Sequence, residues 1–300
     1  MLKPSAELAV TSPATLFAAL DDGQAHVFSF PERRRLASFP TVHAMGGRRA
    51  ALVPGEPPLL LVAAWLDHGV AAYEAHTGTL VWQRKDLNHV QHLVFLGGEP
   101  GKPIAALARE DGIGWALNAL NGKSVASLRM VRQLYAAPAL SKFLAVERSL
   151  ATLRDASSWS ALAGPPLFKV PGTSLVLLDA ALTTRQAVFS RPAGDFGAGG
   201  LEARSLQGAK RWSFPSGAKS QFNHVVATPT GYLAVERNLA DASQQLVEVS
   251  EEGKLVRQRE LREGFTPTPF DEGRVLLTPD GRALDAERLA PVWAFGDEVR

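Results

Sequence analysis

The sequence contains no cysteine among its 300 residues. Disulfides, thiolate nucleophiles, Cys-ligated zinc and iron–sulfur clusters are therefore excluded. No apolar run approaches the roughly 18 residues that a membrane-spanning helix needs. The first residues, MLKPSAELAVTSP, also lack the apolar stretch of a secretory signal. We therefore expect a cytoplasmic protein that has no membrane partner.

A strong charge of either sign is missing too. The chain has 32 Lys and Arg against 30 Asp and Glu, which gives a formal net charge of +2. So small a charge provides no electrostatic basis for binding nucleic acid, and we expect none. Hydrophobic residues make up 46% of the chain and charged residues 21%, which is typical of a globular protein. The many Arg, Ala and Leu residues favour a bacterial source.

One pattern recurs along the whole chain: an apolar run, an Asp-Gly-like turn, a second run, another turn and a run with an aromatic residue. The first turns of these units are Asp22-Gly23, Asp67-His68-Gly69, Asp111-Gly112, Arg154-Asp155, the loop ending in Gly199-Gly200, Ala240-Asp241 and Asp280-Gly281. Their spacing of about 40 to 46 residues is typical of propeller blades. The best-matched copies are the two LAVER segments that begin at Leu144 and Leu233, two periods apart.

The runs between the turns are predicted strands. Segments such as AHVFSF, VAAYEA, LVWQRK and QQLVEV are short and rich in β-branched and aromatic residues. No segment has a long apolar stripe at helical spacing with caps at both ends. Four antiparallel strands form a blade, and a blade buries both faces only by packing against its neighbours in a ring. The sequence therefore predicts an all-β fold, a single β-propeller domain over residues 1–300 with seven blades of four antiparallel strands.

The predicted blades span approximately 5–40, 46–86, 90–130, 135–170, 173–215, 222–261 and 266–296. The first begins with a full innermost strand, ELAVTS, and the last ends with an outermost strand, APVWAF. Ring closure would then need no exchange of strands between the termini. Exchange of a terminal strand remains an alternative, as do six or eight blades, because the fourth unit is the most degenerate.

The segment Ala72–Trp82, AYEAHTGTLVW, resembles the repeat of quinoprotein-dehydrogenase-like (PQQ-like repeat) propellers. Weaker copies lie at 115–128, 201–212, 246–256 and 282–293. The resemblance implies a propeller in which Thr77-Gly78 forms a tight turn and Trp82 packs between blades. The family's catalytic features, including a secretory signal, a calcium site and a disulfide of adjacent Cys, do not carry over. We therefore expect no cofactor.

Three histidines precede innermost strands at multiples of the repeat: His43, His89 and His224. Side chains at equivalent places on one face of a ring converge near the central channel, where a metal or an acid–base group could sit. The alternative role is structural, with a hydrogen bond to an Asp in the following turn, such as from His89 to Asp111. We favour the structural role, and we assign no metal to the pair His89 and His92.

Two further motifs have plainer interpretations. Gly194–Gly200, GDFGAGG, lacks the Lys-Ser/Thr and the helix that follow a phosphate-binding loop, so we predict a hairpin loop. Arg33-Arg34-Arg35, with Arg48-Arg49, is the densest basic feature. We predict a solvated turn for it, and contact with an acidic protein partner is the alternative.

No catalytic set emerges from the carboxylates. The adjacent pairs Asp21-Asp22, Glu110-Asp111 and Asp271-Glu272 occur at turns, where neighbouring side chains diverge. Glu147 and Glu236 are repeat-equivalent and each precedes an Arg, which predicts an ion pair within the repeat. The chain also lacks a Gly-x-Ser-x-Gly nucleophile elbow. We therefore expect no enzyme activity.

The predicted function is that of a non-catalytic protein-interaction propeller in the bacterial cytoplasm. It would be a subunit of a multi-protein system with AAA-type ATPases and von Willebrand A-type proteins, or an immunity protein that blocks a toxin. The predicted partner-binding residues lie in the blade-to-blade loops: His43, Asn88, His89, Arg132, Gln133, Asn223 and His224. The alternative is a propeller enzyme, either a quinone- or metal-dependent oxidoreductase or a glycan hydrolase or lyase. That alternative predicts two or three carboxylates or His within about 5–10 Å of one another in the channel.

Overall fold

The computed structural model describes residues 7–11, 13–21, 23–41, 48–64, 68–99, 101–137, 141–147, 150–162, 166–169, 179–192, 199–261 and 265–295. Within these ranges, 28 strands form seven four-stranded antiparallel sheets, each built from strands consecutive in the chain. The predicted all-β propeller of seven blades is therefore confirmed, and six or eight blades are excluded. Among the residues described, no helix has the length and apolarity to cross a membrane.

The strands of each blade are numbered from the innermost outward. Blade 1 contains β1 (Glu7–Val10), β2 (Leu16–Asp21), β3 (Gln24–Ser29) and β4 (Arg35–Pro40). Blade 2 contains β5 (Arg48–Val53), β6 (Leu59–Ala64), β7 (Val70–Glu74) and β8 (Leu80–Arg84). Blade 3 contains β9 (Val90–Glu99), β10 (Lys102–Arg109), β11 (Ile113–Asn118) and β12 (Ser124–Arg129). Blade 4 contains β13 (Val131–Ala137), β14 (Lys142–Glu147), β15 (Leu150–Asp155) and β16 (Phe168–Lys169).

The last three blades follow the same order. Blade 5 contains β17 (Asp179–Leu182), β18 (Gln186–Arg191), β19 (Gly200–Ser205) and β20 (Lys210–Pro215). Blade 6 contains β21 (Ser220–Thr228), β22 (Gly231–Asn238), β23 (Gln244–Ser250) and β24 (Leu255–Leu261). Blade 7 contains β25 (Thr268–Phe270), β26 (Val275–Thr278), β27 (Arg282–Asp285) and β28 (Pro291–Ala294).

Burial is highest in the middle strands of the blades, above all in the second strands. All six residues of β6, LLLVAA, are buried, because this second strand is covered on both faces by neighbouring blades. The outermost strands β12 and β20 alternate between exposed and half-buried residues. The innermost strands of adjacent blades contact one another, as between β1 and β5 and between β17 and β21. They therefore surround the axis of the ring.

Tryptophans join neighbouring blades, as the family resemblance implies. Trp82 Nε1 donates to the carbonyl oxygen of Ala119 in the next blade at 2.8 Å, and a Cβ at Gly122 would lie 2.7 Å from a carbon of the Trp82 ring. Trp212 repeats the arrangement against Gly253. Each tryptophan thus covers the turn between the third and fourth strands of the following blade, where only glycine leaves room for the ring.

Blades 1 and 7 close the ring without sharing a strand, which decides between the two alternatives that the sequence left open. Each is completed by its own four strands. Aromatic side chains fill the seam between them. The ring centroid of Phe17 lies 5.8 Å from that of Phe270, 5.4 Å from Trp293 and 4.9 Å from Phe295.

The antiparallel order gives the ring two distinct ends. The turns between second and third strands, and the connections between blades, lie at one end, here called the upper end. The turns between first and second strands, and between third and fourth strands, lie at the lower end. The predicted binding residues that the structure describes therefore belong to the upper end.

Candidate functional site

In six blades, the residue at one equivalent position of the innermost strand is polar. The sheets can be aligned because six of them have a bulge between their third and fourth strands, and the LAVER copies align blades 4 and 6. At the same level of the aligned innermost strands stand Glu7, Arg49, His92, Gln133, Asp179 and His224. These six residues, called the inner ring, surround the axis in the upper half of the propeller.

A second bulge adjoins the inner ring in three blades. In β9, β13 and β21 one residue is skipped by the pairing with the second strand, and the skipped residues are Gln91, Arg132 and Asn223. Bulges redirect a side chain and interrupt the ladder, and they are common beside functional sites. The same bulge in three repeats places Gln91, Arg132 and Asn223 at one level of the innermost strands.

The structure groups four of the predicted binding residues at these bulges. Arg132 and Gln133 are adjacent in β13, and Asn223 and His224 are adjacent in β21. They lie within strands, not in the blade-to-blade loops in which the sequence places them. His43 falls outside the described residues.

His89 is not the counterpart of His224. The pairing register gives that position to His92, because His92 lies opposite Ala108 as His224 lies opposite Val235. Residue spacing misleads here because turns and connections of unequal length add to it, whereas the pairing register counts only ladder steps. The signal that identifies His92 is a short apolar-polar-polar-apolar pattern, which reads VQHL, VRQL and FNHV in blades 3, 4 and 6.

His89 instead precedes β9 with a left-handed backbone, at a φ of 54°. Its Nδ1 lies 3.8 Å from a carboxylate oxygen of Glu110, whereas Asp111 pairs with Arg109 at 3.2 Å. The His89 ring therefore lies beside Glu110, the residue before the expected partner Asp111. Arg109 also donates to Asn88 Oδ1 at 3.3 Å, which ties the connection between blades 2 and 3 to the turn after β10.

Arg49 connects the inner-ring positions of blades 1 to 3. It lies 3.7 Å from the carboxylate of Glu7, and its Nε donates to the carbonyl oxygen of Gln91 at 2.7 Å. Burial raises the pKa of Glu7, and the Arg49 charge opposes that shift. Burial, and then the charge of Arg49, lower the pKa of His92 to about 4. The imidazole of His92 is therefore neutral at neutral pH.

Asp179 is the charged inner-ring residue that interacts with neighbours in blades 4 to 6. Its carboxylate accepts the backbone N–H of Ala180 at 2.8 Å and that of Val225 in the next blade at 2.9 Å. His224 Nδ1 lies 3.8 Å from Asp179 Oδ2. Burial, and then the Asp179 charge, raise the pKa of Tyr135, so its hydroxyl is protonated at neutral pH.

The other predicted groups have structural partners. Glu147 forms the expected ion pair within its repeat, with Arg154 bound through two hydrogen bonds of 2.5 and 2.9 Å. Glu236 does not, because it accepts the backbone N–H of Gly217 and the amide of Gln245, each at 2.5 Å. Among the described residues, no three His, Asp or Glu side chains are grouped so as to hold a metal ion.

The two arginine clusters lie in different environments, and the glycine-rich segment is described only in part. Arg33 and Arg34 lie exposed in the turn between β3 and β4, as predicted for a solvated turn. Arg49 instead belongs to β5 and the inner ring. Of Gly194–Gly200, the structure describes only the last two residues, which end the connection between β18 and β19.

No protein-family model and no curated protein sequence match the chain. Solved structures match it over nearly its whole length. They include U3-55K, at 13% identity and a TM-score of 0.67, covering 97% of this chain and 91% of that one. BamB from Moraxella catarrhalis matches at 12% identity and a TM-score of 0.56, covering 93% of this chain and 79% of that one. Dihydro-heme d1 dehydrogenase NirN, in complex with DHE, matches at 14% identity and a TM-score of 0.60, covering 98% and 68%. These similarities show the propeller fold alone. Because the matched structures include a dehydrogenase as well as proteins whose names denote no enzyme, function has to be argued from the site.

Proposed function

We propose that the protein is a non-catalytic, protein-binding propeller whose binding surface is the inner ring together with its three bulges. The observation that supports this most directly is the bulge repeated in β9, β13 and β21. Gln91, Arg132 and Asn223 supply donors and acceptors outside the ladder, on a rigid frame. Such groups suit hydrogen bonding to a loop or an extended segment of a partner.

The electrostatics of the inner ring support binding over acid–base catalysis. The carboxylate of Glu7 pairs with Arg49, and that of Asp179 accepts two backbone N–H groups. A catalytic acid or base needs a substrate proton within hydrogen-bond reach, whereas these carboxylates are used to join adjacent blades. The propeller enzyme therefore remains the second choice.

The cellular setting forms part of the proposal. The protein would act in the bacterial cytoplasm, either beside an AAA-type ATPase and a von Willebrand A-type protein or as an immunity protein against a toxin. The two settings differ in the identity of the partner, so the same experiment distinguishes them.

The test is affinity purification of the tagged protein from its native host, with mass spectrometry of the co-eluting proteins. The variant Arg132→Ala/Asn223→Ala removes two of the bulge side chains. The matched control, Lys123→Ala/Gln207→Ala, changes exposed residues of lower-end turns. We expect a stoichiometric partner that is lost from the first variant and retained by the control. A partner retained by both variants, or turnover of a quinone or glycan without any partner, would overturn the proposal.

A further inference from the structure

A second candidate site lies at the lower end of the ring, in the seam between blades 7 and 1. A cavity of about 210 Å³ opens there. Its aromatic lining comes from Phe17, Phe30, Phe270 and Trp293, and two guanidinium groups, of Arg33 and Arg274, also line it. This cavity is called the seam pocket. It belongs to neither the inner ring nor the bulges, which lie toward the opposite end.

The seam pocket lies beside a contact between blades that runs in the opposite sense to one found at three other boundaries. At those three boundaries, the third residue of an outermost strand donates to the carbonyl that follows the third strand of the next blade. The pairs are Trp82 to Ala119, Trp212 to Glu251 and Arg257 to Ala286, at 2.8, 2.7 and 3.0 Å. At the seam, Arg33 Nη1 of the following blade donates to the carbonyl oxygen of Val292 at 2.9 Å.

The walls of the seam pocket fit one aromatic ring. Phe17 is fully buried at its base, and the ring centroids of Phe30 and Phe270 lie 4.9 Å apart in an edge-to-face arrangement. Aromatic rings favour such edge-to-face and offset contacts at these distances. A cavity of about 150 Å³ lined by apolar side chains already binds benzene. The larger seam pocket therefore has room for a single aromatic side chain.

One cation of the lining, Arg33, is available to an acidic ligand. Arg33 is exposed at the rim and fixed there by its bond to Val292, which uses one of the five N–H donors of a guanidinium. Arg274, also exposed, lies 3.6 Å from Asp271 and 3.1 Å from Glu272. Asp285 is the carboxylate of the lining, and it accepts the backbone N–H of Arg288. Arg33 is thus the lining cation without a carboxylate partner in the described part of the chain, and a guanidinium binds a carboxylate through two parallel hydrogen bonds.

We propose that the seam pocket binds a peptide segment of a protein partner, with one aromatic side chain inserted between Phe30 and Trp293 and a neighbouring carboxylate held by Arg33. This goes beyond the proposed function, because it adds a contact surface at the other end of the ring. The two proposals fail separately. Loss of the inner-ring partner leaves the seam pocket intact, and the reverse also holds.

The test is fluorescence anisotropy of a dye-labelled ten-residue peptide with one central tryptophan flanked by aspartates. We expect Arg33→Gln to weaken binding at least tenfold, the loss expected for one charge-assisted contact of about 1.4 kcal/mol or more. The matched control is Arg34→Gln, which removes the same charge from the adjacent exposed residue outside the lining. It should leave the affinity within twofold of the original. Peptides with alanine for tryptophan, or asparagine for the aspartates, should each bind at least tenfold more weakly.

A second variant covers the case in which Arg33→Gln disturbs the seam. Arg33→Lys keeps the charge but loses the bidentate geometry, so it should bind with intermediate affinity, and its melting temperature shows whether the fold is intact. Equal weakening by Arg33→Gln and Arg34→Gln would overturn the proposal, since it would indicate general charge attraction. Absence of peptide binding, or tighter binding of free indole-3-acetate than of the peptide, would also overturn it.

Discussion

Trp82 and Ala119 are joined by a 2.8 Å hydrogen bond from the indole nitrogen to the backbone carbonyl, across the boundary between blades 2 and 3. The indole ring also lies directly against Gly122, in the turn that Ala119 begins. A neighbouring blade is thus held by one polar contact and one close steric contact of the same side chain.

The substitution Gly122→Ala should lower the free energy of unfolding by about 2–3 kcal/mol. Part of that loss is the cost of a left-handed backbone, at a φ of 69°, and part is the overlap of the new methyl group with Trp82. Gly101→Ala is the control, because its φ is 79° but no atom lies within 4 Å of the added Cβ. It should cost only about 1 kcal/mol. Urea unfolding measures both, and equal losses would show that the Trp82 contact contributes nothing.

Stability should fall as the pH is lowered from about 6.5 to 4. His92 stays neutral in the folded protein down to a pKa of about 4, whereas the unfolded chain takes up the proton near its ordinary value of about 6.5. The unfolded state binds more protons in that window, so the free energy of unfolding decreases by up to about 3 kcal/mol.

The variant His92→Gln should flatten this dependence between pH 6.5 and 4. Its control, His76→Gln, changes an exposed histidine of a turn and should keep the original slope. Glu7, which faces the same Arg49, works in the opposite sense, because its raised pKa favours the protonated folded state at acid pH. Denaturation curves at several pH values give the slope, and an unchanged slope in His92→Gln would contradict the assignment.

The pair Glu147 and Arg154 should couple strongly in a double-mutant cycle. Both side chains are mostly covered, at 23% and 13% exposure, so removing either one leaves a charge poorly solvated. We expect about 2 kcal/mol from each of Glu147→Gln and Arg154→Gln, and clearly less than their sum from the double variant.

The exposed pair Arg185 and Glu251 provides the comparison for that cycle. Its side chains are 69% and 42% exposed, and such pairs couple by about 0.5 kcal/mol or less. Chemical denaturation of the two cycles gives both coupling energies. Similar values would mean that burial does not strengthen the Glu147 pair.

Phe17→Ala should destabilise the protein by about 3–5 kcal/mol, since this fully buried ring packs against aromatic groups of both terminal blades. Leu255→Ala is the control, because Leu255 is 52% exposed on an outermost strand and should change stability by about 0.5 kcal/mol or less. Thermal unfolding of the two variants compares them directly. A small loss for Phe17→Ala would show that the seam does not contribute to closing the ring.

The architecture was predictable because it depends on features that repeat. The turn pairs, the LAVER copies and the placement of Trp82 and Trp212 all report one period, and that period favours the seven blades that the structure shows. The mode of ring closure was not predictable from the period, because either terminal strand could have completed the other terminal blade.

The site was less accessible to sequence reasoning, because position in a channel depends on ladder steps. His89 has the right residue spacing, yet the pairing register gives the matching level to His92, because turns and connections of unequal length separate the blades. Glu7 and Asp179 share no sequence motif. Only the pairing of β1 and β17 with the second strands of their blades places the two residues at one level. The seam pocket had no sequence signal beyond the exposed Arg33.

Blades 1 and 7 meet through side chains and the bond of Arg33 to Val292, with no main-chain ladder between them in the described chain. The seam can therefore open without breaking the hydrogen bonds of any sheet. In a ring in which one terminal strand completes the other terminal blade, opening would break such a sheet. A ligand bound in the seam pocket would contact the first and last blades at once, so its binding would stabilise the closed ring.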